Sequence, residues 1–230
     1  MPSILITGSN RGLGLEFARQ YAEDGWRVYA CCRDPHCAGA LSDLAKKHKN
    51  LSYHGVDVRD HRQIDALAGD LAHETIDVLL NNAGIYHDHG EEFRHLDYEA
   101  WIESFRVNTL AAAKMAEAFL VHVAHSQKRL IAAITSLMGS MADNRSGGYY
   151  PYRSSKAALN AVMVSLSIDL KSHGIGALLL HPGWVRTDMG GPNAEITPQV
   201  SVRGMRKIID GFTLKDTGKF FSYEGKELPW

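Results

Sequence analysis

Short apolar runs punctuate the chain at fairly even intervals, and stretches with helical periodicity fill the gaps. The runs are SILIT (3–7), RVYACC (27–32), LSYHGV (51–56), DVLLNN (77–82), KRLIAAIT (128–135), IGALLLH (175–181) and a weaker KFFSY (219–223). Each is only a few residues long, mostly aliphatic or β-branched, and flanked by turn formers, which predicts strands. Between them lie GLGLEFARQYAEDG (12–25), CAGALSDLAKKHKN (37–50), DHRQIDALAGDLAHE (60–74), a long stretch over 97–126, PYRSSKAALNAVMVSLSIDLKSHG (151–174) and ITPQVSVRGMRKIID (196–210). These carry apolar positions at helical spacing, with Gly25, Asn50 and Gly174 as stop signals. Strict alternation of strand and helix predicts a mostly parallel sheet, because parallel neighbours need a crossover connection. The expected fold is therefore a doubly wound α/β domain of Rossmann type with three layers, α/β/α. No repeat, low-complexity tract or long linker divides the chain, so residues 1–230 are read as one domain.

Composition narrows the function classes. Of 230 residues, 45% are hydrophobic and 22% charged, the profile of a globular domain able to bury a substantial core. Basic and acidic residues number 25 and 26, for a net charge of -1, so neither nucleic acid nor an anionic membrane is expected as a partner. The three cysteines, Cys31, Cys32 and Cys37, do not make a disulfide framework and suit a reducing compartment. With MPSILITG entering a strand at once and no apolar run of membrane-spanning length, a cytoplasmic location is expected. His87 and His89 lie near Glu91 and Glu92, but no further ligand stands at a recognised spacing, so no metal is expected.

The chemistry begins at the first turn. TGSNRGLG (7–14) leaves the first strand and opens the first helix, which is the setting of a phosphate-binding glycine loop. Gly8, Gly12 and Gly14 allow a tight turn and close backbone approach, while the helix start offers free amides and a favourable dipole. Gly8, Ser9, Asn10, Arg11, Gly12, Leu13 and Gly14 are accordingly read as the dinucleotide loop. At the end of the second strand, where an acid would hold the ribose of NAD, the chain has Arg33. A guanidinium there suits a 2′-phosphate, and Arg11 adds a second cation, so NADP is expected over NAD. The competing reading is a surface pairing of Arg33 with Asp34 or Asp60. Further on, YRSSK puts Tyr152 and Lys156 four positions apart, on one face of a helix. That spacing alone is common on solvated helices.

Taken in order, TGSNRGLG, DV (57–58), NNAG (81–84), Asn108, TS (135–136), Tyr152 with Lys156, and HPGWVRTDM (181–189) resemble the short-chain dehydrogenase/reductases over nearly the whole chain. SGGYYPYRSSKAALN and YEGKELPW are most similar to the branch containing the sniffer and C-factor-like carbonyl reductases. The resemblance implies that Tyr152 is the catalytic acid/base, Lys156 its partner, Ser136 the substrate-orienting hydroxyl and Asn108 the fourth member. Asn108 is expected to interrupt its helix and hold a water that reaches Lys156. The pairing makes chemical sense: a free phenol titrates near pH 10, and a neighbouring ammonium brings that down. The resemblance also implies that Asp57 with Val58, the small residues Asn81, Asn82, Ala83 and Gly84, and Pro182, Gly183, Val185 and Thr187 line the cofactor site. Ser136 precedes Tyr152 by 16 positions, more than is usual in the family, and Ser140, 12 before it, competes for the role. Ser136 is preferred because it ends a strand, which holds a side chain more firmly than a loop.

The expected activity is NADPH-dependent reduction of an aldehyde, ketone or quinone to an alcohol, with Trp184, Met189, Tyr150, Met138 and Tyr86 near the mouth of a partly aromatic pocket. In this family the helices after the fourth and fifth strands often form a subunit interface, so a homodimer is a possible assembly. The rivals are an NADP-binding signalling or redox-sensing protein without turnover, and an isomerase or epimerase with no net cofactor oxidation. Together, Ser136, Tyr152, Lys156 and Asn108 favour chemistry.

Overall fold

The computed structural model describes residues 1–87 and 93–230. Seven strands, β1 (Ser3–Thr7), β2 (Arg27–Cys32), β3 (Leu51–Gly55), β4 (Val78–Asn81), β5 (Leu130–Ile134), β6 (Gly176–His181) and β7 (Phe220–Ser222), form one sheet in the order β3-β2-β1-β4-β5-β6-β7. Every pairing is parallel. The helices are α1 (Gly12–Glu23), α2 (Gly39–Lys47), α3 (His61–Asp70), α4 (Tyr98–Phe105), α5 (Ala111–Ala118), α6 (Leu120–Ala124), α7 (Tyr150–Asp169) and α8 (Pro198–Asp210). None is long and apolar enough to cross a membrane.

Alternation along the strands sorts the core into two layers, since successive strand side chains point to opposite faces. Ile4 and Ile6 join Val28, Ala30, Phe17, Tyr21, Val202 and Met205 on the face covered by α1, α2 and α8. Leu5 joins Tyr29, Leu79, Ile64, Met115, Phe119 and Met163 on the face covered by α3, α5 and α7. Cys31 and Cys32 fall on opposite faces, both buried, while Cys37 is exposed; all three thiols are free.

The chain steps outward from β1 through β2 to β3, then returns to lay β4 against the other edge of β1. That reversal opens a crevice beyond the carboxyl ends of β1 and β4, the position at which ligands bind in open α/β sheets. At the opposite end, the buried Asp77 carboxylate accepts from the Ser3 amide (2.9 Å) and hydroxyl (3.2 Å) and from the Gln127 and Lys128 amides (both 3.1 Å). One side chain thus ties β1, β4 and the entrance to β5.

The long helical stretch over 97–126 is not continuous. A π-helical turn at Arg106–Leu110 separates α4 from α5, and Phe119 separates α5 from α6. The first break falls on Asn108, as expected; a π-turn displaces the i→i−4 pattern and such turns gather at functional sites.

Candidate active site

The glycine loop is pressed against the turn after β4. The Thr7 hydroxyl accepts from the Asn82 and Ala83 amides (both 3.0 Å), and the Asn82 side-chain amide donates to the Thr7 carbonyl (2.9 Å) and the Gly8 carbonyl (3.2 Å). A Cβ on Gly14 would stand 2.1 Å from the Gly8 carbonyl oxygen, so a side chain there is excluded. Gly8 itself has φ 70°, in the region that favours glycine, with the Ala83 backbone 3.0 Å from where its Cβ would be. α1 begins directly after this turn, and Arg11 at its N-cap supplies no side-chain cap. Its first amides are therefore left for an anion, which fits a pyrophosphate.

Not every loop residue faces the crevice. Ser9 is fully buried, its hydroxyl donating to the Ile6 carbonyl (2.8 Å) and its amide to the Cys31 carbonyl (2.8 Å), so it shapes the turn. Asn10 is exposed and Leu13 half-buried. Arg11 reaches Asp188, 2.8 Å away in the segment after β6, rather than standing free beside Arg33. Both partners are well exposed, so this pair is weak and screened. Arg33 is exposed and makes no hydrogen bond or ion pair among the described residues; Asp34 and Asp60 instead accept from the His36 and Arg62 amides. Asp57 is gripped by Arg59, whose side-chain hydrogen bonds hold its carboxyl below the usual range. Val58 is buried against Val107, Ala111, Ala83 and Ile85.

α7 carries the pair from YRSSK. Lys156 is 4% exposed and its ammonium donates to the Ile134 carbonyl at the end of β5 (3.0 Å). Burial brings its pKa down from the usual 10.5 to about 8. The ammonium lies 5.8 Å from the centroid of the Tyr152 ring, and Tyr152 is 9% exposed. Two of its three protons remain for other acceptors, which fits ribose hydroxyls beside it. Gly84 lies between this lysine and Asn108: a Cβ there would be 3.5 Å from Lys156 Nζ and 3.3 Å from Asn108 Oδ1.

Both amide protons and one Oδ1 lone pair of Asn108 are engaged. Its Oδ1 accepts from the Ile85 amide (2.8 Å), and its Nδ2 donates to the Ile85 carbonyl (3.0 Å) and to Ser155 Oγ (3.0 Å). The second lone pair of Oδ1 and the backbone carbonyls that the π-turn displaces remain for the water expected at this position. Ser155 and Thr7 carry these contacts and were not among the expected site residues; their signal was a small polar residue beside a glycine or between Tyr152 and Lys156.

β5 stops at Ile134, so Ser136 lies two residues beyond the strand rather than ending it; it caps the short turn Leu137–Gly139, its Oγ accepting from the Met138 amide (3.1 Å). The next amide, of Leu137, donates to Nδ1 of His181 (3.2 Å), a β6 residue whose imidazole burial pushes down to about 4. His181 opens the HPGWVRTDM motif, but no role was expected of it. The turn then packs on α7 so closely that a Cβ on Gly139 would lie 2.9 Å from the Lys156 backbone. Ser140, fully buried, uses its Oγ to accept from the Asp143 amide (3.1 Å). On the other wall, the Pro182 carbonyl accepts from Ser201 (2.6 Å), Gly183 has φ 79°, Val185 is buried, and the Thr187 methyl comes within 3.4 Å of the Gly12 Cβ position. The Thr187 hydroxyl accepts from the Gly190 amide (3.2 Å). Asn81 is buried at the end of β4, with neither side-chain polar atom partnered among the described residues.

Three rings extend the site outward: Tyr86 meets Tyr152 edge-on, with centroids 5.0 Å apart, and Tyr149 lies 6.2 Å beyond. Trp184 and Met189, expected near the mouth, are half-exposed, and the Trp184 indole donates to the Gly190 carbonyl (2.8 Å). Among the described residues no group of three or more His, Cys, Asp or Glu side chains could hold a metal; His89, Glu91 and Glu92 lie outside them.

Residues 2–196 match the family model described as short chain dehydrogenase. C-signal of Myxococcus xanthus is 43% identical over 168 residues, which is 72% of this chain and 99% of that protein. Among solved structures, the carbonyl reductase Sniffer of D. melanogaster is 34% identical with a TM-score of 0.95, covering 100% of both chains. The NADPH-bound carbonyl reductase from chicken fatty liver is 34% identical with a TM-score of 0.92, covering 100% of this chain and 99% of its own.

Proposed function

The chain belongs to the short-chain dehydrogenase family, and from that premise we propose that it is an NADPH-dependent reductase of aldehyde, ketone or quinone carbonyls, working through Tyr152, Lys156, Ser136 and Asn108. The observation that carries this reading is a desolvated ammonium beside a buried phenol, Lys156 against Tyr152, next to Gly84 in the segment after β4. NADPH supplies the hydride when bound. The likeness to an NADPH-bound carbonyl reductase and the exposed Arg33, unpaired among the described residues, both support that cofactor over NADH.

The residues of the chain supply the rest. As negative charge builds on the carbonyl oxygen, the Tyr152 hydroxyl gives it a proton and the Ser136 hydroxyl donates a hydrogen bond, so the oxygen leaves as an alcohol. The Lys156 charge stabilises the phenolate that this leaves, and its remaining donors hold the ribose. Asn108 clamps the segment after β4 and opens the π-turn through which a water can return the proton to Lys156 and Tyr152. Gly8, Gly12 and Gly14 admit the pyrophosphate, Asp57 and Val58 border the adenine, and Asn81 to Gly84, Pro182, Gly183, Val185 and Thr187 line the remaining wall. The exposed Leu110 and Ile168, beside α5 and on α7, support a homodimer through those faces, and the free cysteines support a reducing, cytoplasmic location.

The likeness to C-signal favours a second reading, an NADP-binding signalling protein with little turnover. One assay separates the two: NADPH absorbance followed against a panel of aldehydes, ketones and quinones. A reductase oxidises NADPH with at least one of them and forms the matching alcohol. Cofactor binding without oxidation against the whole panel would exclude the reductase reading and favour the signalling one.

A further inference from the structure

Tyr149 combines an uncomfortable backbone with an exposed side chain. It adopts the left-handed region at φ 53°, ψ 41°, directly before α7, and follows Gly147 at φ 65° and Gly148 at φ 64°. Glycine accepts that conformation freely; a Cβ-bearing aromatic residue does not. Core packing does not compensate, since Tyr149 is 43% exposed. Such strain persists where the surroundings hold it, and it gathers at functional sites. What glycine could not supply at this position is the ring, which the left-handed run turns back toward Tyr86 at 6.2 Å and 33°.

Tyr86 is held independently. The Asn108 side chain clamps both the amide and the carbonyl of Ile85, the preceding residue, fixing the backbone from which Tyr86 projects. Its ring stands edge-on to Tyr152 at 5.0 Å and 74°, while the Lys156 ammonium approaches the same Tyr152 ring at 5.8 Å. Two rings, each fixed by a separate backbone device, therefore extend outward in series from the Tyr152 ring.

Resting on the reductase reading above, we propose that Tyr86 and Tyr149 are specificity-determining residues, an aromatic wall that selects flat, conjugated carbonyl compounds over flexible aliphatic ones. A conjugated substrate presents a π-face and polarised edges, which aromatic neighbours attract beyond the area they bury; an aliphatic chain offers area alone. Because both rings are positioned before substrate arrives, a planar ligand meets them without a further ordering cost.

The test compares naphthaldehyde with octanal as substrates for the full chain with NADPH. Two variants remove the rings: Tyr149→Asn, because asparagine tolerates the left-handed conformation, and Tyr86→Leu. Thermal unfolding verifies that each is folded. In each variant the ratio of kcat/KM for naphthaldehyde to that for octanal should fall roughly tenfold, the upper end for one aromatic contact, chiefly through KM for naphthaldehyde. A ratio within twofold of the parent's in either variant overturns the inference, since the rings would then only support Tyr152. A parent chain that turns over neither aldehyde, nor any other carbonyl, overturns the reductase reading and the inference with it.

Discussion

Replacing Lys156 by methionine removes an ammonium from the interior and leaves an unbranched side chain of similar length. In the folded chain burial holds the Lys156 pKa at about 8, against 10.5 in the open. At about 1.36 kcal/mol for each pH unit, the fold carries a penalty of about 3 kcal/mol while this group is protonated. The sign follows from proton counting. Below about pH 8 both folded and unfolded chains bind the proton and the penalty is fully present. Between about 8 and 10.5 the unfolded chain binds more protons, so stability rises with pH, and above 10.5 the penalty is gone. Methionine also removes the hydrogen bond to the Ile134 carbonyl, at 3.0 Å, which costs about 1 kcal/mol. The cofactor-free Lys156→Met chain should therefore be more stable than the parent by about 2 kcal/mol at pH 7, and lose that advantage toward pH 10. It should also lose carbonyl turnover. Urea unfolding of both chains at several pH values between 6 and 10 reads the difference directly. A variant less stable than the parent at pH 7, or a difference that does not change with pH, would refute the idea that a desolvated charge is stored at this site.

Three further outcomes are expected. Ser136→Ala should lower kcat about 10²- to 10³-fold, as for loss of one donor to a developing oxyanion, while Ser140→Ala lowers it less than tenfold; the reverse order in steady-state rates would transfer the role to Ser140. Arg33→Ala should cut the preference for NADPH over NADH about 10- to 100-fold, the worth of a charge-assisted contact, and equal changes in KM for both cofactors would remove Arg33 from the 2′-phosphate site. Asp77→Ala strands the amides of Ser3, Gln127 and Lys128 and should destabilise the fold by at least about 3 kcal/mol in urea, whereas a loss under about 1 kcal/mol would mean that solvent replaces the carboxylate.

What the chain determined by itself is the framework. Runs such as SILIT and IGALLLH are apolar on both strand faces because helices cover both sides of a parallel sheet, so the pattern announces the layers before any contact is known. Turn and cap residues act locally in the same way, which is why Gly8 and Gly14 marked the crevice and Tyr152 and Lys156 a shared helix face. The seventh strand was faint because only three residues pair, Phe220–Ser222. The break at Phe119 had no local signature at all.

Only the tertiary structure decided how distant segments use those positions. Arg11 pairs with Asp188 across 177 positions of chain, Ile85 is clamped by Asn108, and the amide after Ser136 is received by His181. Each of these contacts depends on where a crossover delivers its partner, and no periodicity encodes that. The fall of the Lys156 pKa is likewise a property of the closed interior, since desolvation comes from every neighbour at once rather than from the residues beside it in the chain.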